Sequence, residues 1–182
     1  MQQNRKNMAN LENITIINAN ISHAKIIAEL GKTAFTENFG HLYNPKDLED
    51  FLATTYSQEI QTHEIVADNN IVFIAYHNNN AVGFLNLSPV TLPITSDYNN
   101  ILEIKRFYII SSFKGQGVGH QLIQTAIEYA KNAQAKELYL GVYSENHNAR
   151  RFYAKYNFTD IACYYFKVGN QLDREIIMRL TF

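Results

Sequence analysis

Three alternating glycines lie in the run Lys114-Gly115-Gln116-Gly117-Val118-Gly119, between an apolar strand-like segment and a long amphipathic stretch. Glycine lets a backbone turn through left-handed conformations and approach a bulky ligand that a Cβ would keep away. A helix starting there leaves four main-chain N–H groups without intrahelical acceptors, and its dipole favours an anion at that end. A phosphate or pyrophosphate is therefore a natural guest. The run does not fit the dinucleotide fingerprint G-x-G-x-x-G: counted from Gly115 the last position is His120, and from Gly117 it is Leu122. The triphosphate loop G-x-x-x-x-G-K-[ST] is absent from the chain. A tight strand-to-helix turn without any ligand would use the same glycines, and the pattern alone does not separate the two.

The other reactive side chains narrow the chemistry. The six histidines, at 23, 41, 63, 77, 120 and 147, have no metal-ligand spacing, and Cys163 is the single cysteine. Neither a metal site nor an internal disulfide is expected. Sixteen basic side chains stand against 17 acidic ones, for a net charge of −1, with no basic run; nucleic acid is not an expected partner. No segment approaches the roughly 20 apolar residues of a membrane helix. The first ten residues lack the apolar centre of a signal peptide, so a cytoplasmic location is expected. Tyrosine is plentiful, with 12 Tyr and 11 Phe but no Trp, and a phenol can serve a site as well as a core.

The elements that must position these groups are legible in outline. A tail is expected over 1–12 and a single domain over 13–182. Ile14 to Ala19 reads as a strand, and Ser22 can cap a helix with Ile26, Ile27, Leu30 and Ala34 at helical spacing. Pro45 suits the first turn of a second helix carrying Leu48, Phe51 and Leu52. Ile71 to Tyr76 and Ala81 to Leu87 form a hairpin across His77-Asn78-Asn79-Asn80, since Asn tolerates positive φ. Ile101 to Ile110 is the strand before the glycines, and Val118 to Ala130 the helix after them. Glu137 to Val142 is a strand, Ala149 to Tyr156 a helix, and Phe158 to Lys167 with Arg174 to Leu180 a closing pair. The order β-α-α-β-β-β-α-β-α-β-β belongs to one α/β or α+β layer.

Lys114-Gly115-Gln116-Gly117-Val118-Gly119 resembles motif A of the GNAT superfamily of acetyl-CoA-dependent N-acetyltransferases, [RQ]-x-x-G-x-[GA], with Lys114 in place of Arg or Gln. Asn146-His147-Asn148-Ala149-Arg150-Arg151-Phe152-Tyr153 is similar to the family's N-x-x-A-x-x-F-Y, and Asn157-Phe158 stands where the family has Gly-Phe. The resemblance implies a single GNAT-type α/β (α+β) domain. Its centre would be a mixed, mostly antiparallel, twisted sheet of about seven strands, flanked by about four helices. It implies acetyl-CoA as co-substrate, held by Phe107, Tyr108, Ile109, Lys114, Gly115, Gln116, Gly117, Val118, Gly119, His120, Asn146 and Tyr153.

Thioester aminolysis needs a proton acceptor for the amine, a donor to the carbonyl oxygen, and an acid for the thiolate. The resemblance assigns the first role to Glu103; by alternation Glu103, Lys105, Phe107 and Ile109 share one face, with Arg106 on the other. A solvated strand carboxylate paired with Lys105 would look the same in sequence. The second role falls to a main-chain N–H in Phe107-Tyr108-Ile109, best at Ile109. The third falls to Tyr153, which without the motif would read as a core aromatic.

Leu102-Glu103-Ile104-Lys105-Arg106-Phe107-Tyr108-Ile109 and Leu140-Gly141-Val142-Tyr143-Ser144-Glu145-Asn146 are most similar to the bacterial PaiA-type polyamine acetyltransferases. That likeness implies spermidine, spermine or another small primary amine as acceptor, lined by Glu37, Tyr43, Asp97, Tyr98, Glu103 and Tyr143. It also implies a homodimer with the final strands as contact surface. Two other readings stand beside it: acetylation of a peptide N-terminus or lysine, and an acetyl-CoA-binding regulatory module without turnover. The second would be expected to lose the Glu and the Tyr.

Overall fold

The computed structural model describes residues 14–182; the tail expected at 1–12 lies outside them. The elements in chain order are β1 (Ile14–Asn18), α1 (Ala24–Phe39), α2 (Pro45–Thr55), α3 (Gln58–Val66), β2 (Ile71–His77), β3 (Asn80–Ser88), β4 (Ile101–Ile109), α4 (Val118–Asn132), β5 (Glu137–Tyr143), α5 (His147–Ala154), β6 (Thr159–Val168) and β7 (Gln171–Thr181). Seven strands make one sheet in the order β1-β2-β3-β4-β5-β7-β6. β4 and β5 run parallel and every other neighbouring pair is antiparallel. This is the expected mixed, mostly antiparallel α/β architecture.

Local chemistry explains most boundaries. Asn44 accepts from the Asp47 N–H and Pro45 opens α2, so both N-terminal signals act together. Asn78 turns the β2–β3 hairpin at φ 53°. Asn157 stops α5's exit in the left-handed region at φ 65°, which Asn tolerates almost as well as Gly. Two expectations are corrected. The cap before α1 is Asn20, not Ser22: Asn20 accepts from the Ser22 N–H while His23 Nδ1 accepts from the Asn20 N–H, closing a single 3₁₀ turn that leads into the helix. A further helix, α3, stands between α2 and β2; its apolar residues have no clear helical stripe, but Ser57 caps it by accepting from Ile60 N–H.

Both sheet faces are covered. Leu122, Ile123, Ala126 and Ala130 of α4 pack on the face that carries Leu85, Ile104, Leu138, Leu140, Ile176 and Met178. On the other face, Ile27 and Leu30 of α1 meet Val72, Ile74 and Phe84, and Phe35, Tyr56 and Val168 gather the aromatics of α1 and α2.

One irregularity shapes everything that follows. Asn86 pairs with Arg106 but Leu87 pairs with Ile104, so Lys105 is an extra residue, a β-bulge in β4. The bulge reverses the alternation expected from sequence. Ile104, Phe107 and Ile109 face α4, whereas Tyr108 joins the aromatics beneath α1. Glu103 and Arg106 therefore share the α1 face with Tyr108, and Glu103 does not lie with Phe107 and Ile109. Beyond the bulge the sheet opens. β4 and β5 pair only from Ile101↔Glu137 to Ile104↔Leu140, and their C-terminal halves diverge as a fork.

Candidate active site

The β4 edge of the fork presents free backbone donors. Ile110 N–H donates to Val82 O at 3.1 Å, across the antiparallel β3–β4 pair. Alternation then turns the Tyr108 N–H toward β3 and sends those of Phe107 and Ile109 into the fork. Of the three residues expected to hold a carbonyl through main chain, Phe107 and Ile109 have the right direction. Tyr108 instead reaches the α1 face, where its hydroxyl accepts from Tyr56 at 3.0 Å.

The glycine loop continues from that edge. A 3₁₀ turn over Ser111–Phe113 delivers the chain to Gly115 at φ 75° and Gly117 at φ 88°, both left-handed. Gly117 is the N-cap of α4 and supplies no side-chain cap, while Gln121 is the first N–H to reach back, to Gly117 O at 3.1 Å. Among the described residues, the N–H groups of Val118, Gly119 and His120 meet no acceptor. Three convergent orphan donors at a positive helix end fit the pyrophosphate of a coenzyme A thioester. Side chains contribute less. Lys114 Nζ is taken by Asn38 Oδ1 of α1, Gln116 donates to Ser112 O at 2.6 Å, and His120 Nδ1 is bonded to the Tyr156 hydroxyl.

Tyr153 stands on α5, whose N-terminus Asn146 caps by accepting from Ala149 N–H at 3.1 Å. Its ring packs 6.2 Å from Phe107 and 5.9 Å from Phe158, and the residue is 8% exposed. The hydroxyl has no hydrogen-bond partner among the described residues, yet it is not sealed in like the orphaned Asn86 Oδ1. Burial pushes the phenol up, and Tyr108 and Glu175 push it the same way. It therefore holds its proton through neutral pH. Phe152, by contrast, fills space between Phe107, His120 and Tyr156.

Across the sheet, on the α1 face, the fork is lined by carboxylates and phenols. Glu103 is buried, and its Oε2 accepts from Thr91 N–H at 2.6 Å, Thr91 Oγ1 at 3.1 Å and Leu92 N–H at 3.2 Å. It is neither solvated nor paired with Lys105, which lies 3.3 Å from Glu64. Arg106 pairs with the same Glu64 and lies 5.4 Å over the Tyr56 ring, a structural post. Tyr43 donates to Asp173 Oδ2 at 2.5 Å, and Tyr143 meets Phe39 edge-on at 6.3 Å.

Sequence reasoning missed Asp173, Glu175 and Tyr164. Glu175 lies opposite Tyr143 on β5 and Tyr164 on β6, and accepts from the Tyr164 hydroxyl at 2.9 Å. Burial lifts its carboxyl above the ordinary range; the Tyr164 bond lowers it and Asp173 lifts it again. The available signal was two acids spaced by two just before the apolar run Ile176-Ile177-Met178 of the same strand.

Three expected lining residues stand elsewhere. Asp97 and Tyr98 belong to a cavity of about 180 Å³ with Ser96, Glu137 and Arg179, at the closed end of the β4–β5 pair. Gly141 is four residue steps along β5 from Glu137, ~13 Å along the strand. Glu37 accepts from Ser111 N–H at 2.7 Å and so tethers α1 to the start of the glycine loop. Among the described residues no cluster of three or more His, Cys, Asp or Glu is placed to hold a metal, and no helix is long and apolar enough to cross a membrane.

Comparison with known proteins bears on the family and the fold. The model of the acetyltransferase (GNAT) family matches residues 33–158. An uncharacterized N-acetyltransferase of the pepI 3′ region of Lactobacillus delbrueckii subsp. lactis is 27% identical over 150 residues, 82% of this chain and 87% of its own. Streptothricin acetyltransferase A of Bacillus subtilis is 28% identical over 131 residues, 71% of this chain and 67% of its own. The PaiA N-acetyltransferase of Thermoplasma acidophilum, solved in complex with coenzyme A, superposes with a TM-score of 0.76 over 93% of this chain and 99% of its own, at 20% identity.

Proposed function

The chain belongs to the acetyltransferase (GNAT) family, and on that footing we propose that it moves the acetyl group of acetyl-CoA onto a primary amine of a small polycation. The observation that carries the reading is the fork itself. Supporting it are a backbone donor at Ile109 turned away from β3, orphan N–H groups at the head of α4, where Gly119 lies against Ile109 and Phe107, and Tyr153, whose ring packs against the same Phe107 and whose hydroxyl has no partner among the described residues.

When bound, acetyl-CoA supplies an activated acyl group whose thiol is a good leaving group. Val118, Gly119 and His120 N–H groups hold its pyrophosphate. Ile109 N–H, with Phe107 N–H beside it, receives the thioester oxygen and stabilises the negative charge that gathers there. Tyr153 gives its proton to the departing sulfur; its raised affinity for that proton keeps it loaded.

The acceptor side supports a cation. Asp173 and Glu175 stand two residues apart on one face of β7, about 7 Å along the strand, and tyrosine rings at 43, 143 and 164 surround them. Carboxylates attract an ammonium, and phenol faces add cation–π contact. No Lys or Arg is salt-bridged to either carboxylate among the described residues.

The test is thiol release from acetyl-CoA across spermidine, spermine, short diamines, monoamines and N-terminal peptides. Diamines and longer polyamines should have the highest kcat/KM, with affinity falling as salt rises. Equal activity on uncharged-tail monoamines would sink the polycation reading and leave a general amine acetyltransferase.

A further inference from the structure

A proton acceptor for the amine needs three things: a place at the fork, a free lone pair, and a charge not already compensated. Each buried or half-buried carboxylate near the sheet can be measured against them. Glu64 is consumed by Arg106 and Lys105. Glu137 is consumed by Ser96, Tyr139 and Arg179, at the closed end of the strand pair. Glu103 has one oxygen filled by three donors that pin Thr91 and Leu92, and it stands opposite Tyr139, inside the part of β4 and β5 that is still paired. Asp173 accepts from both Tyr43 and Gln171. Glu175 has a single donor, the Tyr164 hydroxyl, and no basic partner among the described residues.

Its position is equally distinctive. The last paired residues of β4 and β5 are Ile104 and Leu140. The next residue of β5 is Gly141, and a Cβ built on it would stand 2.8 Å from Glu175 Oε2. The carboxylate thus lies over the first residue of β5 that no longer pairs with β4, in the angle of the fork. It reaches that place from β7, on the α1 face opposite α4 and the glycine loop.

We propose that Glu175, rather than Glu103, is the group that takes the proton from the acceptor's ammonium. The proposal rests on the acetyl-transfer reading and adds to it a residue and a side of attack. One N–H bond of the ammonium breaks, and its proton passes to Glu175 and then to water. The freed lone pair forms the C–N bond as the C–S bond breaks. Tyr153 delivers a proton to sulfur, and the second proton lost by nitrogen returns to the phenol. Overall, one ammonium and one thioester give one amide, one thiol and one proton.

The surroundings suit that task. Glu175 is faced by Tyr164 from β6, Asp173 from its own strand, Tyr143 from β5, Tyr108 and, beyond Tyr164, Glu103 from β4, Tyr153 from α5 and Tyr43 from the turn after α1. These are phenols and acids. A carboxylate among them gives up solvation and gains no fixed cation, so an entering ammonium is its natural partner. Burial and Asp173 both bring its proton affinity closer to the working pH.

The experiment compares wild type, E175Q and E175A with the amine that wild type uses best. E175Q should lose about 10²–10⁴-fold in kcat and the acid limb of its pH–rate profile, with acetyl-CoA affinity by calorimetry within about threefold of wild type. Formate should restore part of the E175A rate by filling the vacated space. An E175Q enzyme within about threefold of wild type, with its acid limb intact, overturns the assignment alone. Loss of turnover together with acetyl-CoA binding, and no formate rescue, marks a structural role and also overturns it. A wild-type enzyme silent toward every amine overturns the acetyl-transfer reading, and the assignment falls with it.

Discussion

Gly141 and Glu175 share one space: a Cβ on the glycine would stand 2.8 Å from the carboxylate Oε2 and 2.7 Å from the Tyr164 hydroxyl. Gly141 is therefore glycine because two polar side-chain ends cross its face. Gly141→Ala should push the carboxylate and phenol aside rather than break the strand, costing about 1–3 kcal/mol by overpacking. Turnover should fall more than stability would suggest, with acetyl-CoA affinity kept. Urea unfolding and steady-state kinetics on the same preparation check the split.

Tyr153 separates chemistry from packing. Its ring is wedged against Phe107 and Phe158, but its hydroxyl has no partner among the described residues. Tyr153→Phe should therefore unfold within about 1 kcal/mol of wild type while kcat drops by about 10²-fold or more. The pH dependence carries a sign as well. Burial, Tyr108 and Glu175 all raise this phenol, so ionisation of Tyr153 should produce no loss of rate up to pH ~10, the value of a free tyrosine. A wild-type alkaline limb below that, absent in Tyr153→Phe, would contradict the raised proton affinity while leaving the phenol as the acid; a Tyr153→Phe enzyme with wild-type kcat would contradict the role.

The residues that were legible in sequence are those whose work is local. Gly117 at a helix start, Asn44 with Pro45, and the Asn78 and Asn157 turns each act within a few positions, so their meaning survives without tertiary knowledge. The motif residue Tyr153 and the strand before the glycines also meet, its ring packing 6.2 Å from Phe107, two residues before Ile109. What escaped depends on register. The single extra residue Lys105 moves Phe107 and Ile109 to the opposite face from Glu103, and no pattern in Leu102 to Ile109 announces a bulge. Asp173 and Glu175 acquire their neighbours from the antiparallel pairing of β7 with β5 and β6, more than 30 residues from Gly141. Asp97 and Tyr98 sit four and three residues before Ile101, the start of β4, yet the strand carries them to its far end from the fork.

Glu103 has a different test. Its Oε2 gathers the Thr91 and Leu92 N–H groups and the Thr91 hydroxyl, which fixes the middle of the β3–β4 connection. Glu103→Gln keeps one oxygen for those donors but strips the charge that strengthens all three bonds, at about 1–3 kcal/mol in sum. Limited proteolysis should then cut within residues 89–100 faster than in wild type. The acid limb of the pH–rate profile should stay where it is. A limb displaced toward higher pH would return the proton acceptor to β4.

The closed end of the fork has its own pH signature. Burial works against the Glu137 carboxylate, but Ser96, Tyr139 and Arg179 outweigh it and hold the group below its ordinary range. Protons therefore bind the unfolded chain more readily than the folded one in that range. The stabilisation is complete above the unfolded value of about 4.3 and is lost as pH falls through the lower folded value. Glu137→Gln removes the charge-assisted bonds at every pH, so at neutral pH its melting temperature should fall, by an amount corresponding to about 1–3 kcal/mol. As pH falls from the unfolded value through the lower folded one the two proteins should converge, because wild type loses the same bonds by protonation. Melting curves at pH 7, 5, 4 and 3 read this directly; a gap that stays constant down to the lowest pH would mean that Glu137 holds the strand pair by shape rather than by charge.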